Sequence, residues 1–256
     1  MDFRVPGLVY LETGDNKMGA DDLYKRDYLM RLIEQMTEVL GTRLLQLRQE
    51  KKQKEGLELI DEQLTKLYLP KSKLLHSVSE EHLLNMFSVN GVPESDKMAA
   101  AGLLLRHQAD IYKDMEIEAD RANGLRKALF LLLAAKREGF DPDGLTGREI
   151  SGLLKEMNAD KADLPALTEL FLMDYYTGEG RYDAAENLLY RLPHKLDSGV
   201  YEVGKRFYDT LFQLDDQQLM EGNFSREEAE DGWKEWQQKY KPNSETINIE
   251  EEELDT

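Results

Sequence analysis

The sequence predicts an all-α protein, an α-solenoid-like stack of helical hairpins that follows a long N-terminal helix. Three observations lead to this prediction. Apolar residues recur at intervals of three and four along most of the chain, as they do on one face of a helix. Glycine and proline residues end the periodic stretches. Small residues stand opposite large ones in consecutive predicted helices, which lets two helices pack closely.

The first periodic stretch predicts a long helix from Asp22 to about Gly56. Its apolar face consists of Tyr24, Tyr28, Leu32, Met36, Val39 and Leu40. The stretch ends in a run of cations, which favour the negative end of a helix dipole: Arg43, Arg48, Lys51, Lys52 and Lys54. We interpret this run as a solvated helix end rather than a binding patch. The helix either packs along the stack or pairs with a second copy, which leaves a homo-oligomer open.

Residues 1–21 show no period and are interpreted as an N-terminal extension. Two further helices complete the N-terminal helical region, residues 22–92. One covers Leu57 to Leu69 and ends at Pro70, which cannot continue a helical hydrogen-bond ladder. The other is short and follows Ser77 or Ser79. Ser77 and Glu80 have the spacing of a capping box, and Asn90-Gly91 provides a left-handed exit. No strand is predicted.

Beyond Pro93 the periodicity predicts a series of helices that ends at residue 240. They cover about residues 94–115, 117–138, 147–157, 164–177, 182–192, 198–214 and 226–240. Thr146 with Glu149, and Ser225 with Glu228, have the capping-box spacing at two of their amino ends.

A short acidic segment, DPDG at residues 141–144, resembles the start of a calcium-binding loop, in which acidic residues alternate before a glycine. The register does not fit. With Gly144 at the glycine position, the first ligand falls on Gly139 and the final bidentate ligand on Ile150, and neither carries a carboxylate. The segment is therefore predicted to be a turn.

The strongest local pattern is YYTGEGRYDAAENLLYRLP, residues 175–193, with a helix end, a glycine turn and a second helix. Together with the residues before it, this segment resembles a tetratricopeptide hairpin. The positions that carry the resemblance are Leu172, Tyr176, Gly180, Tyr182, Ala185 and Leu189. The sequence departs from that repeat at Glu169, Met173 and Leu192, where the repeat prefers tryptophan, a small residue and alanine. The resemblance implies that Ala185 lets two helix backbones approach closely.

The same pattern recurs on both sides of this hairpin. The upstream copy contains Ala109, Tyr112, Ala128, Leu132 and Ala135, and the downstream copy contains Gly204, Phe207, Ala229, Trp233 and Trp236. The small residues of the copies are unevenly spaced, so the connecting turns must differ in length. Residues 93–240 are thus predicted to form tetratricopeptide-like hairpins, with ordinary helical-bundle packing as the alternative.

A second resemblance begins in the long first helix. The segment DYLMRLIEQMTEVLG, Asp27 to Gly41, resembles a family of uncharacterised helical proteins from Gram-positive bacteria. The resemblance covers roughly residues 27–240 and implies a helical fold. Because the family has no established activity, it implies neither a reaction nor a partner.

The charge of the chain argues against several classes of partner. Asp and Glu number 51 against 33 Lys and Arg, which gives a formal net charge of -18. Such a charge repels nucleic acid and anionic membrane surfaces. The tail, residues 241–256, carries six acids and one lysine, hence -5, and its composition predicts disorder. The remaining -13 lies on residues 1–240, so the body of the chain is also acidic.

The composition also bears on location. The longest strongly apolar run, residues 128–135, is far shorter than the roughly 20 residues of a spanning helix. The N-terminus lacks the pattern of a secretory signal. The chain has no cysteine, which excludes disulfides and thiolate chemistry and is typical of a cytoplasmic protein.

No motif of a known catalytic site is present. The sequence contains neither Gly-x-Ser-x-Gly nor a phosphate-binding Gly-x-x-x-x-Gly-Lys segment. Its histidines, His76, His82, His107 and His194, lack the spacing of metal ligands. The carboxylates Glu116, Glu118 and Asp120 are typical of a helix start. We therefore expect no enzyme, no metal and no cofactor.

Stacked hairpins create a concave groove, so the favoured hypothesis is a non-enzymatic scaffold for a protein or peptide partner. The helix register places the following residues toward that groove: Arg106, Asp110, Lys113, Leu170, Asp174, Thr177, Tyr201, Lys205 and Tyr208. A small-ligand or peptide sensor without a DNA-binding output domain is the alternative, and an enzyme with a carboxylate pair is the least favoured. The aromatic stripe of Trp233, Trp236 and Tyr240 either closes the helical stack or holds a peptide or second subunit.

Overall fold

A computed structural model describes residues 41–158, 162–196 and 198–242 of the chain. These residues are mostly helical and contain almost no strand, which confirms the all-α class. They belong to two compact units, which divide between Tyr175 and Tyr176. The predicted N-terminal extension, the start of the first helix up to residue 40 and the tail from residue 243 lie outside the described residues.

The first unit contains the longest helices of the described chain. Its elements are α1 (41–49), α2 (Gln53–Lys66), α3 (Ser72–Ser77), α4 (Glu80–Met86), β1 (Ser88–Val89), β2 (Val92–Pro93), α5 (Ser95–Asp114), α6 (Glu118–Arg137), the 3-10 turn η1 (Pro142–Gly144) and α7 (Leu145–Met157). Helix α8 (Ala166–Gly178) begins in this unit and continues past its boundary.

Helices α5 and α6 form a long antiparallel hairpin at the centre of the first unit. The two helices approach closely where α5 lacks a side chain, since a Cβ atom built on Gly102 would lie 2.8 Å from Cγ of Leu132. The same occurs in α6, where a Cβ on Gly124 would lie 3.3 Å from that of Ala109. Helix α2 packs against α5, and α7 packs against α6. The predicted helices 94–115 and 117–138 are therefore confirmed.

The long first helix, in contrast, does not run to Gly56 as predicted. It breaks after residue 49, because Lys51 adopts a left-handed backbone conformation (φ 56°) before α2 begins at Gln53. Gly56 is buried inside α2, where a Cβ atom would lie 2.9 Å from Cδ1 of Ile111. Helix α2 also ends before Pro70, since Tyr68 is left-handed (φ 59°). Both ends are set by conformations that the sequence pattern does not reveal.

Two of the predicted capping boxes are wrong and one is confirmed. Ser79, rather than Ser77, caps α4, and its side chain accepts a hydrogen bond from the amide of His82. Thr146 is buried and does not cap α7. Ser225 and Glu228 form the expected reciprocal pair at the start of the last helix, with hydrogen bonds of 3.1 and 2.8 Å.

A minimal antiparallel hairpin of β1 and β2 lies between α4 and α5, where no strand was expected. Asn90 (φ 53°) and Gly91 (φ 80°) are both left-handed, which is the geometry of a tight hairpin turn. The predicted left-handed pair is therefore correct, but it joins two strands.

The second unit contains the end of α8 and the helices that follow it. They are α9 (Tyr182–Leu189), the 3-10 turn η2 (Leu192–His194), α10 (Val200–Phe212), α11 (Asp216–Glu221) and α12 (Arg226–Tyr240). Helix α9 ends three residues before its predicted end. Helix α11 was not predicted; Asp215 and Gln218 form a capping box at its start.

Small residues mediate the closest helix contact of this unit as well. A Cβ atom built on Gly204 of α10 would lie 2.0 Å from Nε1 of Trp236 on α12. Ala185 and Ala229 are fully buried, as are Ala109, Ala128 and Ala135 of the first unit. The small residues therefore occupy the core, as the hairpin pattern predicts. Because α11 separates α10 from α12 in the chain, the third copy is not a simple hairpin.

Replacing Gly204 by alanine tests this contact. We expect Gly204→Ala to lower the free energy of unfolding by about 1–3 kcal/mol, because the new methyl group would overlap the indole of Trp236. Urea denaturation followed by circular dichroism measures the change. Gly152→Ala is the matched control: that glycine also lies within a helix, but nothing lies within 4 Å of an added Cβ. In the control, the free energy of unfolding should rise by up to about 1 kcal/mol. Equal effects of both substitutions would contradict the packing argument.

Candidate functional site

The predicted groove residues of α5 are largely engaged within the first unit. Arg106 donates from Nη1 to Oε2 of Glu156 at 2.8 Å, and its Nε lies 3.5 Å from Glu149. Asp110 lies 3.7 Å from Nη1 of Arg48. Lys113 is exposed. Arg106 and Asp110 are thus engaged with α7 and α1, whereas Lys113 remains accessible.

The groove residues predicted in α8 differ in burial. Leu170 is 2% exposed and belongs to the core, so it cannot contact a partner as predicted. The reason is that the apolar face of α8 is broad. Phe171, the next residue, stacks on Phe130 with 5.5 Å between the ring centroids. Asp174 lies 3.5 Å from Nε of Arg137, while Thr177 is half-buried.

The groove residues predicted in α10 also separate into surface and core. Tyr201 is half-buried, and its ring centroid lies 5.8 Å from that of Trp233. Lys205 is exposed and pairs with Asp209 at 2.6 Å. Tyr208 is fully buried, which contradicts its predicted place in the groove. Its hydroxyl group is held inside the unit by a hydrogen bond to Glu186, described below.

A network of ion pairs in the first unit is centred on Glu156 of α7. One carboxylate oxygen accepts from Arg106, and the other accepts from Nη2 of Arg121 at 2.7 Å. Burial alone would raise the pKa of the Glu156 carboxyl, but these two guanidinium groups outweigh it and the pKa is lowered. The network ties α7 to both helices of the central hairpin.

The imidazole of His107 lies within the same charged region. Burial lowers the pKa of His107, against the raising influence of Asp110 and Glu149. The ring is therefore held neutral near pH 7. Arg48 extends the network, since its guanidinium binds both carboxylate oxygens of Asp114 at 2.5 and 3.0 Å.

A second polar cluster in the first unit lies among α2, α3 and α5. The hydroxyl of Ser72 donates to Asp61 at 2.7 Å and accepts from the Gln108 amide at 2.8 Å. The Gln108 carbonyl oxygen in turn lies 2.6 Å from Nε2 of His76. Because Gln108 separates the serine from the histidine, His76 has no direct hydrogen bond with which to take the proton of Ser72. The cluster holds together three helices.

Neither of these clusters has the composition of a metal site. Over residues 41–158, 162–196 and 198–242, no group of three or more His, Cys, Asp or Glu side chains is arranged to hold a metal ion. Among the helices described in this part of the chain, none is long and apolar enough to cross a membrane.

The candidate site is an aromatic surface on the second unit, formed by Tyr201, Trp233 and Glu186. Trp233 is half-buried and its ring lies 5.8 Å from the rings of both Tyr201 and the buried Tyr208. The predicted aromatic stripe is thus divided. Trp236, one turn further along α12, is fully buried, whereas Trp233 remains accessible.

Glu186 of α9 belongs to this surface, although the sequence pattern does not predict it. The Tyr208 hydroxyl donates to Oε1 of Glu186 at 2.7 Å. A Cβ atom on Gly232 would lie 2.5 Å from that hydroxyl and 2.8 Å from Oε1, so α12 needs glycine here. Nothing in the sequence distinguishes Glu186 from the exposed acids of the chain, because the residues around it come from two later helices, α10 and α12.

The charge of Glu186 is poorly compensated. Burial raises the pKa of its carboxyl, the Tyr208 hydroxyl lowers it, and the nearby carboxylates Glu228 and Glu235 raise it, with a net upward shift. Burial likewise raises the pKa of the Tyr208 phenol, which therefore stays protonated as a hydrogen-bond donor. The site combines accessible rings with a half-buried carboxylate, a combination suited to binding cations.

Both compact units fall within a single family match. The sequence profile of DUF6483, described as a family of unknown function, matches residues 23–241. Neither a curated protein nor a solved structure matches the chain.

Replacing Glu156 by glutamine tests the ion-pair network. We expect Glu156→Gln to lower the free energy of unfolding at pH 7 by about 1 kcal/mol. This lies between the effects of breaking an exposed and a buried ion pair. Because the folded-state pKa lies below the ordinary 4.5, the stabilising charge is present above pH 4.5 and is lost as the pH falls through the folded-state value. Urea titrations at several pH values should show the difference shrinking below pH 4.5. The exposed Glu62→Gln is the control; a difference independent of pH would contradict the assignment.

Replacing Glu186 by glutamine should have the opposite effect. Its folded-state pKa lies above the ordinary 4.5, so ionisation destabilises the fold as the pH rises through that value. Glu186→Gln still accepts the Tyr208 hydrogen bond and carries no charge. We expect it to be at least as stable as the wild type at pH 8, with no gain at pH 4, by urea denaturation. A clear loss of stability at pH 8 would show that the charge supports the fold.

Proposed function

The chain belongs to the DUF6483 family over residues 23–241, and we propose that it is a non-enzymatic helical-repeat scaffold that binds a protein or peptide partner. The observation that carries the proposal is the accessible ring of Trp233, whose centroid lies 5.8 Å from those of Tyr201 and Tyr208. Tryptophan and tyrosine supply large contact areas at a small entropic cost, and they dominate the binding energy of protein interfaces.

The repeat character of the scaffold rests on its buried small residues. Ala128, Ala185 and Ala229 hold equivalent positions in the three predicted copies of the sequence pattern, and each is fully buried. We include in the proposal that these hairpins are tetratricopeptide-like and stack as in a solenoid, because closely nested helix pairs leave one face free for a partner.

The cellular setting is part of the same proposal. The resemblance of Asp27 to Gly41 to helical proteins of Gram-positive bacteria and the absence of cysteine favour a bacterial, cytoplasmic protein. The net charge of -18 disfavours nucleic acid and anionic membranes as partners and favours proteins.

Affinity capture with matched variants tests the scaffold. The immobilised full-length chain is incubated with native cytosol, and the bound proteins are identified by mass spectrometry and titrated individually. We expect a partner whose dissociation constant rises by about thirtyfold or more with Trp233→Ala, as for an interface hot spot. Tyr68→Ala is the control, because Tyr68 is an aromatic residue of the other unit with 92% of its surface exposed. Circular dichroism verifies that both variants are folded.

The proposal fails if no captured protein distinguishes the two variants. It also fails if the affinity of every captured protein falls equally with Trp233→Ala and Tyr68→Ala, since binding would then depend on general hydrophobicity.

A further inference from the structure

We propose that the partner segment is basic, and that one of its lysine or arginine side chains lies against Trp233 with its charged group at Glu186. This inference rests on the proposed scaffold function and specifies the chemistry of its partner. The occupant is a cationic peptide segment of another protein.

The geometry of the aromatic surface supports a cationic side chain. The half-buried rings of Tyr201 and Trp233 lie 5.8 Å apart, centroid to centroid, and the faces of such rings attract cations. The buried ring of Tyr208 lies at the same distance from Trp233. The Tyr208 hydroxyl binds Oε1 of Glu186 at 2.7 Å, which fixes the carboxylate beside the same rings. A long side chain with an apolar stem and a charged end matches both parts: the stem contacts the rings and the charge reaches the carboxylate.

Glu186 lacks a cation of its own. Within residues 41–158, 162–196 and 198–242 its side chain takes part in no ion pair, and the charged groups that act on it are the carboxylates Glu228 and Glu235. The lysines of α10 and α12 are engaged elsewhere: Lys205 pairs with Asp209 at 2.6 Å, Lys234 pairs with Asp231 at 3.0 Å, and Lys239 lies over the ring of Tyr240. A cation from outside would therefore be the first to compensate this carboxylate.

The acidic residues of α12 make the surface complementary to more than one cation of the partner segment. The acids of this helix, Glu227, Glu228, Glu230, Asp231 and Glu235, outnumber its bases, Arg226, Lys234 and Lys239. The excess of acids along the helix that carries Trp233 favours a segment with several cations over a single small amine.

Tryptophan fluorescence gives a direct assay, because both tryptophans of the chain lie on α12. The full-length chain is titrated with octalysine, with the same peptide acetylated at every lysine, and with octaglutamate. We expect a saturable change with octalysine that weakens as salt is added, and none with the other two peptides. An equal response to the acetylated peptide would overturn the proposal, since the charge would then play no part.

Charge-matched variants localise the binding. Glu186→Gln should weaken octalysine binding by at least about tenfold, as expected when one partner of a half-buried charge pair is lost. Glu62→Gln removes the same charge from an exposed position in the other unit and should leave the affinity unchanged. Equal weakening by both variants would overturn the proposal in favour of general electrostatic attraction. Urea denaturation of Glu186→Gln separates lost binding from lost folding.

Two further outcomes distinguish this inference from the scaffold proposal. A captured partner that is lost with Trp233→Ala but keeps its affinity for Glu186→Gln would support a scaffold and overturn the cationic segment. Light scattering tests a second copy as the occupant: a dimer of the free chain that Glu186→Gln dissociates would assign the surface to self-association and overturn the proposal. Octalysine binding that depends on Glu186 in a monomeric chain supports it.

Discussion

In each unit of the described chain, two helices approach closely where one of them has no side chain. Gly102 lets Leu132 lie against the backbone of α5, and Gly204 does the same for Trp236 against α10. Because close packing gains its energy from many short contacts, a large residue opposite glycine fixes the helix that carries it. Once Trp236 is fixed in the core, Trp233 lies on the adjoining side of α12, where it is only half-buried.

Local signals in the sequence predict the long helices well. The bounds of α12 agree with those predicted, since its cap, Ser225, directly precedes the start of the periodic stretch. The break at Lys51 and the end of α2 at Tyr68 were missed, because both residues adopt left-handed conformations that usually require glycine or asparagine. Helix α11 is short, and its six residues give no measurable period.

The site was only partly predictable, because helix register identifies a face without identifying what covers it. The register placed Tyr201 and Tyr208 on one face of α10, yet Tyr208 is buried. Glu186 contacts it from α9, which precedes α10 in the chain, and Trp233 contacts it from α12, which follows α10. Glu186 lies 22 residues before Tyr208, so its surroundings depend on tertiary packing. No local pattern encodes such a contact.

Glu156 and Glu186, both half-buried, illustrate different uses of charge in this acidic chain. Glu156 is bound by two guanidinium groups that offset its desolvation, and its ionised form stabilises the first unit. Glu186 has a neutral hydroxyl as its hydrogen-bond partner and two carboxylates nearby, so its ionised form costs stability. A glutamine would keep the hydrogen bond without that cost, and folding alone therefore does not account for a carboxylate at this position. Under the proposed function, a cation of the partner segment would compensate this charge, so that binding would recover the stability that ionisation costs the folded chain.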